Sequence, residues 1–302
     1  MADNGASAFD PAVLDRLAGL SLVARTVVEG MMAGQHRSPH RGSSIEFAQH
    51  RPYVPGDELR ALDWKIFARS NRLVVKEFVE ETNFSCHLLV DASESMSFTS
   101  GRWSKFDYAR WCAASLGHLV IAQRDAAGLV IFDEDVRDKV PPTNGAQQQH
   151  EIVQSLEAAE TKGATRVGDV LDWIAGRLSR RGIVAIFSDF FDDTDKLISG
   201  LRRLRHAGHE PILFQVLDPQ ELTFDYEKLL RRDGLEGGGR IKVDPKSLRA
   251  AYLDEMGKHQ AELKRQARAL SMDFVPLTTS TPLDVALSTY LAQRTARARA
   301  RS

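Results

Sequence analysis

Short apolar runs alternate along the chain with segments of helical periodicity, and this alternation constrains the fold more than any other sequence feature. Five runs of four to seven residues are almost continuously apolar, at positions 85–90, 127–132, 183–187, 211–217 and 273–276. Strands that are buried on both faces carry such runs, because helices cover both sides of a parallel sheet. The sequence therefore predicts an α/β fold, Rossmann-like, with a mainly parallel sheet and helices on both faces.

The segments between these runs carry apolar residues three or four positions apart, which is the period of an amphipathic helix. We predict helices over residues 10–32, 106–120, 167–177, 194–206 and 248–270, and a last helix that begins near Pro282 and frays from residue 294 onward. The insertion `DEDVRDKVPPT` alternates like an antiparallel partner of the second strand. The insertion `LTFDYEKLLRRDGLEGGGRIKVDP` is interpreted as two edge strands joined by a glycine-rich turn.

The N-terminal quarter differs in character from the rest of the chain. Residues 34–78 are polar, basic and rich in turn formers, with prolines at 39, 52 and 55, and we predict a loop region that ends in a short strand over 73–78. This change in composition predicts an N-terminal helix and basic loop module over residues 8–79, an α/β domain over 80–294 and a basic tail over 295–302.

Composition limits the classes of function and the compartment. The chain has 302 residues, 43% hydrophobic content and a formal net charge of -1, so no overall field attracts it to nucleic acid or to an anionic membrane. The two cysteines, Cys86 and Cys112, fall in a predicted strand and a predicted helix, which is a poor disulfide framework. With no signal peptide and no apolar run long enough to span a bilayer, we expect a cytoplasmic protein.

Oxygen-bearing side chains follow the predicted strands. Ligands bind at the carboxyl ends of parallel strands in such sheets, so these positions point to a site. They are Asp91, Ser93 and Ser95 after the first run, Asp133 after the second, Asp189 after the third, and Thr165 in a glycine-bounded loop. Two carboxylates and three hydroxyls suit a hard divalent cation such as magnesium or manganese.

The motifs `DASESM`, `GAT` and `FSD` resemble the metal-ion-dependent adhesion site of the von Willebrand factor A domain. The resemblance implies that one divalent cation is held by Asp91, Ser93, Ser95, Thr165 and Asp189, and that its open position takes an acidic side chain of a partner protein. The sequence departs from that pattern at Phe190, where the family usually has glycine, and at Glu94, where a small residue is common.

A second resemblance covers most of the chain. The run `HRSPHRGSSIEFAQHRPYVPGDELRALDWKIFARSNRLVVKEF` and the C-terminal segments `RAAYLDEM` and `MDFVPLTTSTPLDVALSTYLAQR` are similar to the bacterial family called domain of unknown function 58. Members of that family are commonly paired with MoxR-type AAA+ ATPases. The resemblance thus implies an adaptor or chaperone-like role for a protein that is not an enzyme.

Three alternatives stay open at the level of sequence. Asp91, Ser93 and Ser95 fit an ordinary strand-to-helix turn as well as an ion site. Asp57, Asp63 and Lys65 resemble the end of a metal-dependent nuclease or phosphohydrolase core, although such cores need adjacent strands and `DELRALDWKIFAR` has helix-like spacing. The third alternative is zinc binding by the histidines at 36, 40 and 50, which Pro39 disfavours because it breaks the helix that would align them.

Overall fold

The computed structural model describes residues 44–54, 62–81, 85–178, 181–224 and 245–301. They belong to two compact units, a small one within Arg37–Phe84 and a large one that includes Ser85–Ser302. The predicted helix over 10–32 lies outside the described residues, as do the histidines at 36 and 40, Asp57 and the 225–244 part of the glycine-rich insertion.

The small unit is built on a two-stranded antiparallel sheet. Strand β1, Ser44–Pro52, pairs with strand β2, Val74–Glu81, and helix α1, Trp64–Ser70, lies between them in sequence. The predicted strand over 73–78 is confirmed, but the prediction of loop for the preceding segment was wrong at β1 and at α1. A register shift between Phe47 and Gln49 interrupts the two-residue alternation that would have indicated this strand.

The large unit contains a six-stranded sheet in the order β5-β4-β3-β6-β7-β8. Its strands are β3 Ser85–Asp91, β4 Ala126–Phe132, β5 Val136–Thr143, β6 Gly182–Ser188, β7 Glu210–Leu217 and β8 Asp273–Thr278. All neighbouring pairs are parallel except β4 and β5, which are antiparallel. The predicted α/β class, the five apolar strands and the antiparallel partner within 133–143 are thereby confirmed.

Seven helices accompany the described part of this sheet. They are α2 Lys105–Ala122, α3 Ala146–Ala158, α4 Val167–Ala175, α5 Thr194–His206, α6 Pro219–Thr223, α7 Pro245–Ala269 and α8 Leu283–Arg301. Helix α3 has no counterpart among our predictions because its segment `AQQQHEIVQSLEA` is mostly polar and buries only Ile152, Val153, Leu156 and Gln148 deeply. The predicted edge strand at 222 was also wrong, since Leu222 lies in α6.

The hydrophobic core lies between the sheet and the helices that cover it. Every residue of β3 is buried, and side chains from the sheet pack against α4, α5 and α7. Helices α4 and α5 cross closely at glycines: a methyl group on Gly168 would lie 2.7 Å from the Lys196 carbonyl carbon, and one on Gly200 would lie 2.8 Å from Leu171 Cβ. Cys86 and Cys112 are free, buried thiols.

The last helix is longer than we predicted. Helix α8 continues to Arg301 instead of ending near residue 294, because alanine and arginine are strong helix formers. Arg294 also anchors it through ion pairs with Glu210 at 2.6 Å and Asp273 at 3.1 Å. Within the described residues, no helix combines the length and the apolar content that crossing a bilayer requires.

Candidate functional site

Three loops are named by their order in the chain: the first follows β3 (residues 92–95), the second precedes α4 and carries Thr165 (residues 159–166), and the third follows β6 (residues 189–193). The carboxyl ends of β3 and β6 lie side by side in the sheet and bring Asp91 close to the third loop. Asp91 is fully buried, and its two carboxylate oxygens accept hydrogen bonds from different strand ends. Its Oδ1 accepts from the Ser93 backbone N–H at 2.9 Å, and its Oδ2 accepts from the Ser188 hydroxyl at 2.6 Å. Asp91 therefore connects its own turn with the residue that precedes Asp189.

The two serines of the first loop complete the connection to Asp189. The hydroxyl oxygens of Ser93 and Ser95 are 3.2 Å apart, and Ser95 Oγ donates to Asp189 Oδ2 at 2.8 Å. Asp91, Ser93 and Asp189 are buried, whereas Ser95 is exposed, so the cluster opens to solvent on the Ser95 side. Four of the five predicted site residues thus form one hydrogen-bonded network.

Thr165 lies on a loop that is attached to the first loop by its backbone. Lys162 N–H donates to the Ala92 carbonyl at 2.9 Å, and Glu94 N–H donates to the Gly163 carbonyl at 2.9 Å. The hydrogen bonds found among the described residues do not include the Thr165 hydroxyl. The structure therefore places the loop of Thr165 beside the network, while its role as a ligand stays a prediction.

Asp133, at the end of β4, belongs to a different environment. Its Oδ1 accepts from the Asp135 N–H at 3.2 Å, and its Oδ2 lies 3.5 Å from Arg137 Nε. The carboxylate is used to shape its own β4–β5 turn. An acid at the carboxyl end of a strand is thus not sufficient to join the cluster.

Phe190 shows how the third loop departs from the usual glycine pattern. It has a left-handed backbone, with φ at 61°, and a fully buried side chain. A left-handed residue other than glycine costs about 1–2 kcal/mol, and burial of a phenylalanine side chain contributes about 1.5–3 kcal/mol. Core packing thereby holds the backbone that carries Asp189, whose Oδ1 accepts from the Phe191 N–H at 3.1 Å. Glu94, the other departure, is exposed.

Lys105, which our sequence analysis missed, also belongs to the cluster. Its ammonium donates to Asp189 Oδ2 at 2.8 Å and to Glu221 Oε1 at 2.6 Å, and its side chain is 1% exposed. Glu221 is held in turn by the Asp218 N–H, which donates to its Oε2 at 2.8 Å. The available signal was helical spacing, because Lys105 lies three and seven positions before Tyr108 and Cys112 on the buried face of α2.

Burial and neighbouring charges shift the pKa values of three groups of the cluster. Burial, reinforced by the charge of Asp189, raises the pKa of Asp91 to about 7, although the hydrogen bonds from Ser188 and Ser93 oppose the change. Burial disfavours the ammonium of Lys105, but the charges of Asp189 and Glu221 outweigh it and raise the pKa of Lys105. Burial also raises the pKa of Glu221 despite the nearby ammonium. Three acidic groups therefore share a single cationic one.

The nuclease alternative is not favoured by the small unit. Asp63 is the N-cap of α1, and its Oδ1 accepts from the N–H groups of Lys65 and Ile66 at 2.9 and 3.2 Å. Lys65 lies in that helix and not on a strand beside Asp63, as such a core would require. Of the histidines considered for zinc, His50 lies in β1, and no three histidine, cysteine, aspartate or glutamate side chains among the described residues are arranged so that they could hold a metal ion.

Comparison with known proteins identifies the family. The model of the family described as "Protein of unknown function DUF58" matches residues 49–262 of the chain. The chain belongs to the DUF58 family. Uncharacterized proteins of Mycobacterium bovis and Mycobacterium tuberculosis are each 28% identical to this DUF58 protein over 277 residues, which cover 89% of this chain and 86% of theirs. The Bacillus subtilis protein YeaD is 30% identical over 125 residues, covering 41% of this chain and 29% of YeaD.

Among solved structures, three neighbours with a similar backbone fold have low sequence identity to this chain. An aerotolerance-related membrane protein from Bacteroides fragilis is 14% identical, with a TM-score of 0.45, and covers 71% of this chain and 99% of that chain. BatB from Bacteroides thetaiotaomicron is 14% identical, with a TM-score of 0.42 and the same coverage. The VWA domain of SpRpn10 is 13% identical, with a TM-score of 0.40, covering 68% of this DUF58 chain and 93% of that chain.

Proposed function

We propose that this protein is a non-catalytic interaction module that grips an acidic side chain of a partner protein through a magnesium or manganese ion. Asp91, Ser93, Ser95 and Asp189 would hold the ion, with Thr165 as the fifth predicted ligand. The observation that carries the proposal is the hydrogen-bonded network of the first four residues, which come from two separate loops at one edge of the sheet.

The chemistry of these residues fits a hard divalent cation. Carboxylate and hydroxyl oxygens are the donors that magnesium and manganese prefer. Asp91 Oδ1 accepts from the Ser93 N–H and Oδ2 accepts from the Ser188 hydroxyl, and an ionised carboxylate offers about four lone-pair sites in all. A cation would also relieve the cost of ionising the buried Asp91 carboxylate, which now keeps its pKa near 7.

Access to solvent fits the contact with a partner. Ser95 is exposed, whereas Asp91, Ser93 and Asp189 are buried behind it, so a foreign carboxylate would approach from the Ser95 side. When bound, a divalent cation supplies a coordination position that such a carboxylate can fill. The hydroxyls of Ser93 and Ser95 are neutral ligands, and they leave part of the ion's charge available for the incoming acid.

The partner implied by the family resemblance is a MoxR-type AAA+ ATPase. We propose that this DUF58 protein acts as an adaptor or chaperone-like partner of such an ATPase, or of other proteins, through an exposed acidic residue. The proposal assigns no chemical step to the site. No nucleic acid enters the proposal, since the net charge is only -1.

The test is a binding measurement with a purified MoxR-type ATPase from the same organism. We expect Mg²⁺ to promote the complex, and both EDTA and Asp91→Ala to abolish it. Asp133→Ala is the matched control, because Asp133 also follows a strand of this sheet but bonds within its own turn. Equal binding by wild type, with and without EDTA, and by Asp91→Ala would refute the ion-mediated contact.

A further inference from the structure

A buried lysine occupies the space between the third loop and the turn after β7. The ammonium of Lys105 is enclosed by the carboxylates of Asp189 and Glu221 and by the ring of Phe191, whose centroid is 5.2 Å away. An ammonium without water needs such partners, because transfer of a charge into the protein interior is costly. The fold therefore carries its own cation at the proposed ion site.

The lysine and the ion would share one carboxylate. Asp189 Oδ2 already accepts from Lys105 Nζ and from Ser95 Oγ, both at 2.8 Å, and Oδ1 accepts from the Phe191 N–H. A divalent cation that uses Asp189 must approach a carboxylate whose charge the ammonium has partly neutralised. Two like charges a few ångströms apart repel each other strongly where water is excluded.

We propose that Lys105 is a resident counter-cation that lowers the affinity of the site for a divalent ion. This proposal rests on the cation binding in the proposed function and does not depend on the partner. Lys105 would make the site a weak one that responds to the free concentration of the ion, because the ion must compete with the ammonium for Asp189.

Glu221 would set the strength of this competition. Its Oε1 accepts from Lys105 at 2.6 Å, and its Oε2 is fixed by the Asp218 N–H, so Glu221 draws the ammonium toward α6. When Glu221 is replaced by a neutral glutamine, Lys105 keeps only Asp189 as a charged partner. The same lysine would then oppose the ion more strongly, and the local negative charge would also be smaller.

Four proteins test the proposal by calorimetric titration with Mn²⁺: the wild type, Lys105→Met, Glu221→Gln and the double variant. We expect Lys105→Met to bind at least about tenfold more tightly than the wild type, and Glu221→Gln to bind several-fold more weakly. The double variant keeps the net charge of the wild type, so tighter binding by it isolates the local competition from the total charge. Thermal unfolding without Mn²⁺ provides a second readout, because it shows whether each variant is folded.

Lys139→Met is the control for the loss of one positive charge, since Lys139 is exposed on β5. At physiological salt, its charge is screened over about 8 Å, and we expect binding within about twofold of the wild type. If Lys105→Met does not fold, the Mn²⁺ affinity of the double variant is compared with that of the wild type instead. If neither variant folds, the nearly isosteric Glu221→Gln takes their place. Equal or tighter Mn²⁺ binding by Glu221→Gln than by the wild type overturns the proposal.

The outcomes separate this inference from the proposed function. Equal Mn²⁺ affinity in the wild type, Lys105→Met and the double variant overturns the role of Lys105 and leaves the ion-mediated contact standing. Binding by Lys105→Met but not by the wild type supports the role of Lys105 and refutes the proposed function. Binding by none of the folded proteins overturns both.

Discussion

The carboxyl ends of β3 and β4 lie next to each other in the sheet, and an aspartate stands at each of them, yet the two acids have different surroundings. Asp91 is the last residue of β3, and Asp133 directly follows β4. Asp91 is bonded to Ser188 of another strand and lies in a network that reaches Asp189. The Asp133 carboxylate is bonded within its own turn and pairs with Arg137 four positions later, while the Asp133 backbone carbonyl accepts from the Arg166 N–H at 3.3 Å. The two carboxylates thus differ in their partners: that of Asp91 accepts from a distant segment, whereas that of Asp133 accepts from its own turn.

The largest expected difference between the two acids is in cation affinity. We expect Asp91→Asn to weaken Mn²⁺ binding more than 100-fold, beyond the 10–100-fold typical for loss of an outer-shell partner. Asp133→Asn should change the affinity less than about twofold, because its carboxylate lies outside the network. Isothermal titration of both variants measures this, and a comparable loss in both would erase the contrast between the two strand ends.

Ser188 sharpens the contrast, because it is the contact that Asp133 lacks. Its hydroxyl donates to Asp91 Oδ2 and would fix the orientation of that carboxylate without touching the ion. We expect Ser188→Ala to weaken Mn²⁺ binding about 10–100-fold. Ser97→Ala is the control from the nearby turn, where the hydroxyl donates to the Glu94 carbonyl. Unchanged affinity in Ser188→Ala would show that Asp91 needs no support from β6.

Thr165 tests whether the second loop takes part as well. Its loop is held against the first loop by two backbone hydrogen bonds, and Thr165 lies two positions after the attachment point at Gly163. We expect Thr165→Val to weaken Mn²⁺ binding about tenfold, as for a single oxygen ligand, and Thr161→Val to leave the affinity unchanged. Titrations in which both variants match the wild type would remove Thr165 from the ligand set.

The pH dependence of stability tests the environment of Asp91 without any cation. Because Asp91 has a pKa of about 7 in the folded protein and an ordinary value of 3.8, the folded state holds a proton that the unfolded state loses between these values. The contribution of Asp91 to stability is therefore fully present below about pH 4 and is lost as the pH rises toward 7. Above that pH, Asp91 is ionised in both states, and its effect on the free energy of unfolding of the ion-free protein no longer changes with pH.

Chemical unfolding in EDTA measures this effect against Asp91→Asn, which cannot ionise. We expect the advantage of the variant over the wild type to grow by roughly 1.4 kcal/mol per pH unit between about pH 5 and pH 7, then to level off. A variant that is equally destabilised at every pH would indicate that Asp91 serves the turn alone, as Asp133 does.

Most of the fold could be predicted from sequence because it depends on local patterns. The strands β3, β4, β6 and β7 are buried along their length, and continuous apolar runs announce them. The pattern failed where it is absent: β1 carries a bulge, and α3 is mostly polar. These two elements form through strand pairing and helix packing, which the periodicity of the local sequence does not indicate.

The candidate site could be predicted in part for the same reason. Asp91, Ser93, Ser95 and Asp189 directly follow predicted strands, so the parallel sheet brings them together. Lys105 lies far from Asp189 and Glu221 in sequence and meets both of them only in the folded chain. The roles of Lys105 and Glu221 depend on tertiary contact, although Lys105 directly precedes the predicted helix over 106–120 and has the spacing of its buried face.

The most direct test of the central claim is a crystal structure of the protein grown with Mn²⁺, using the anomalous signal of manganese. The account predicts one strong peak beside the carboxyl ends of β3 and β6, within coordination distance, about 2.0–2.4 Å, of the Ser93 and Ser95 hydroxyls and close to Asp91 and Asp189. A protein saturated with Mn²⁺ whose only peaks lie away from these four side chains would contradict it.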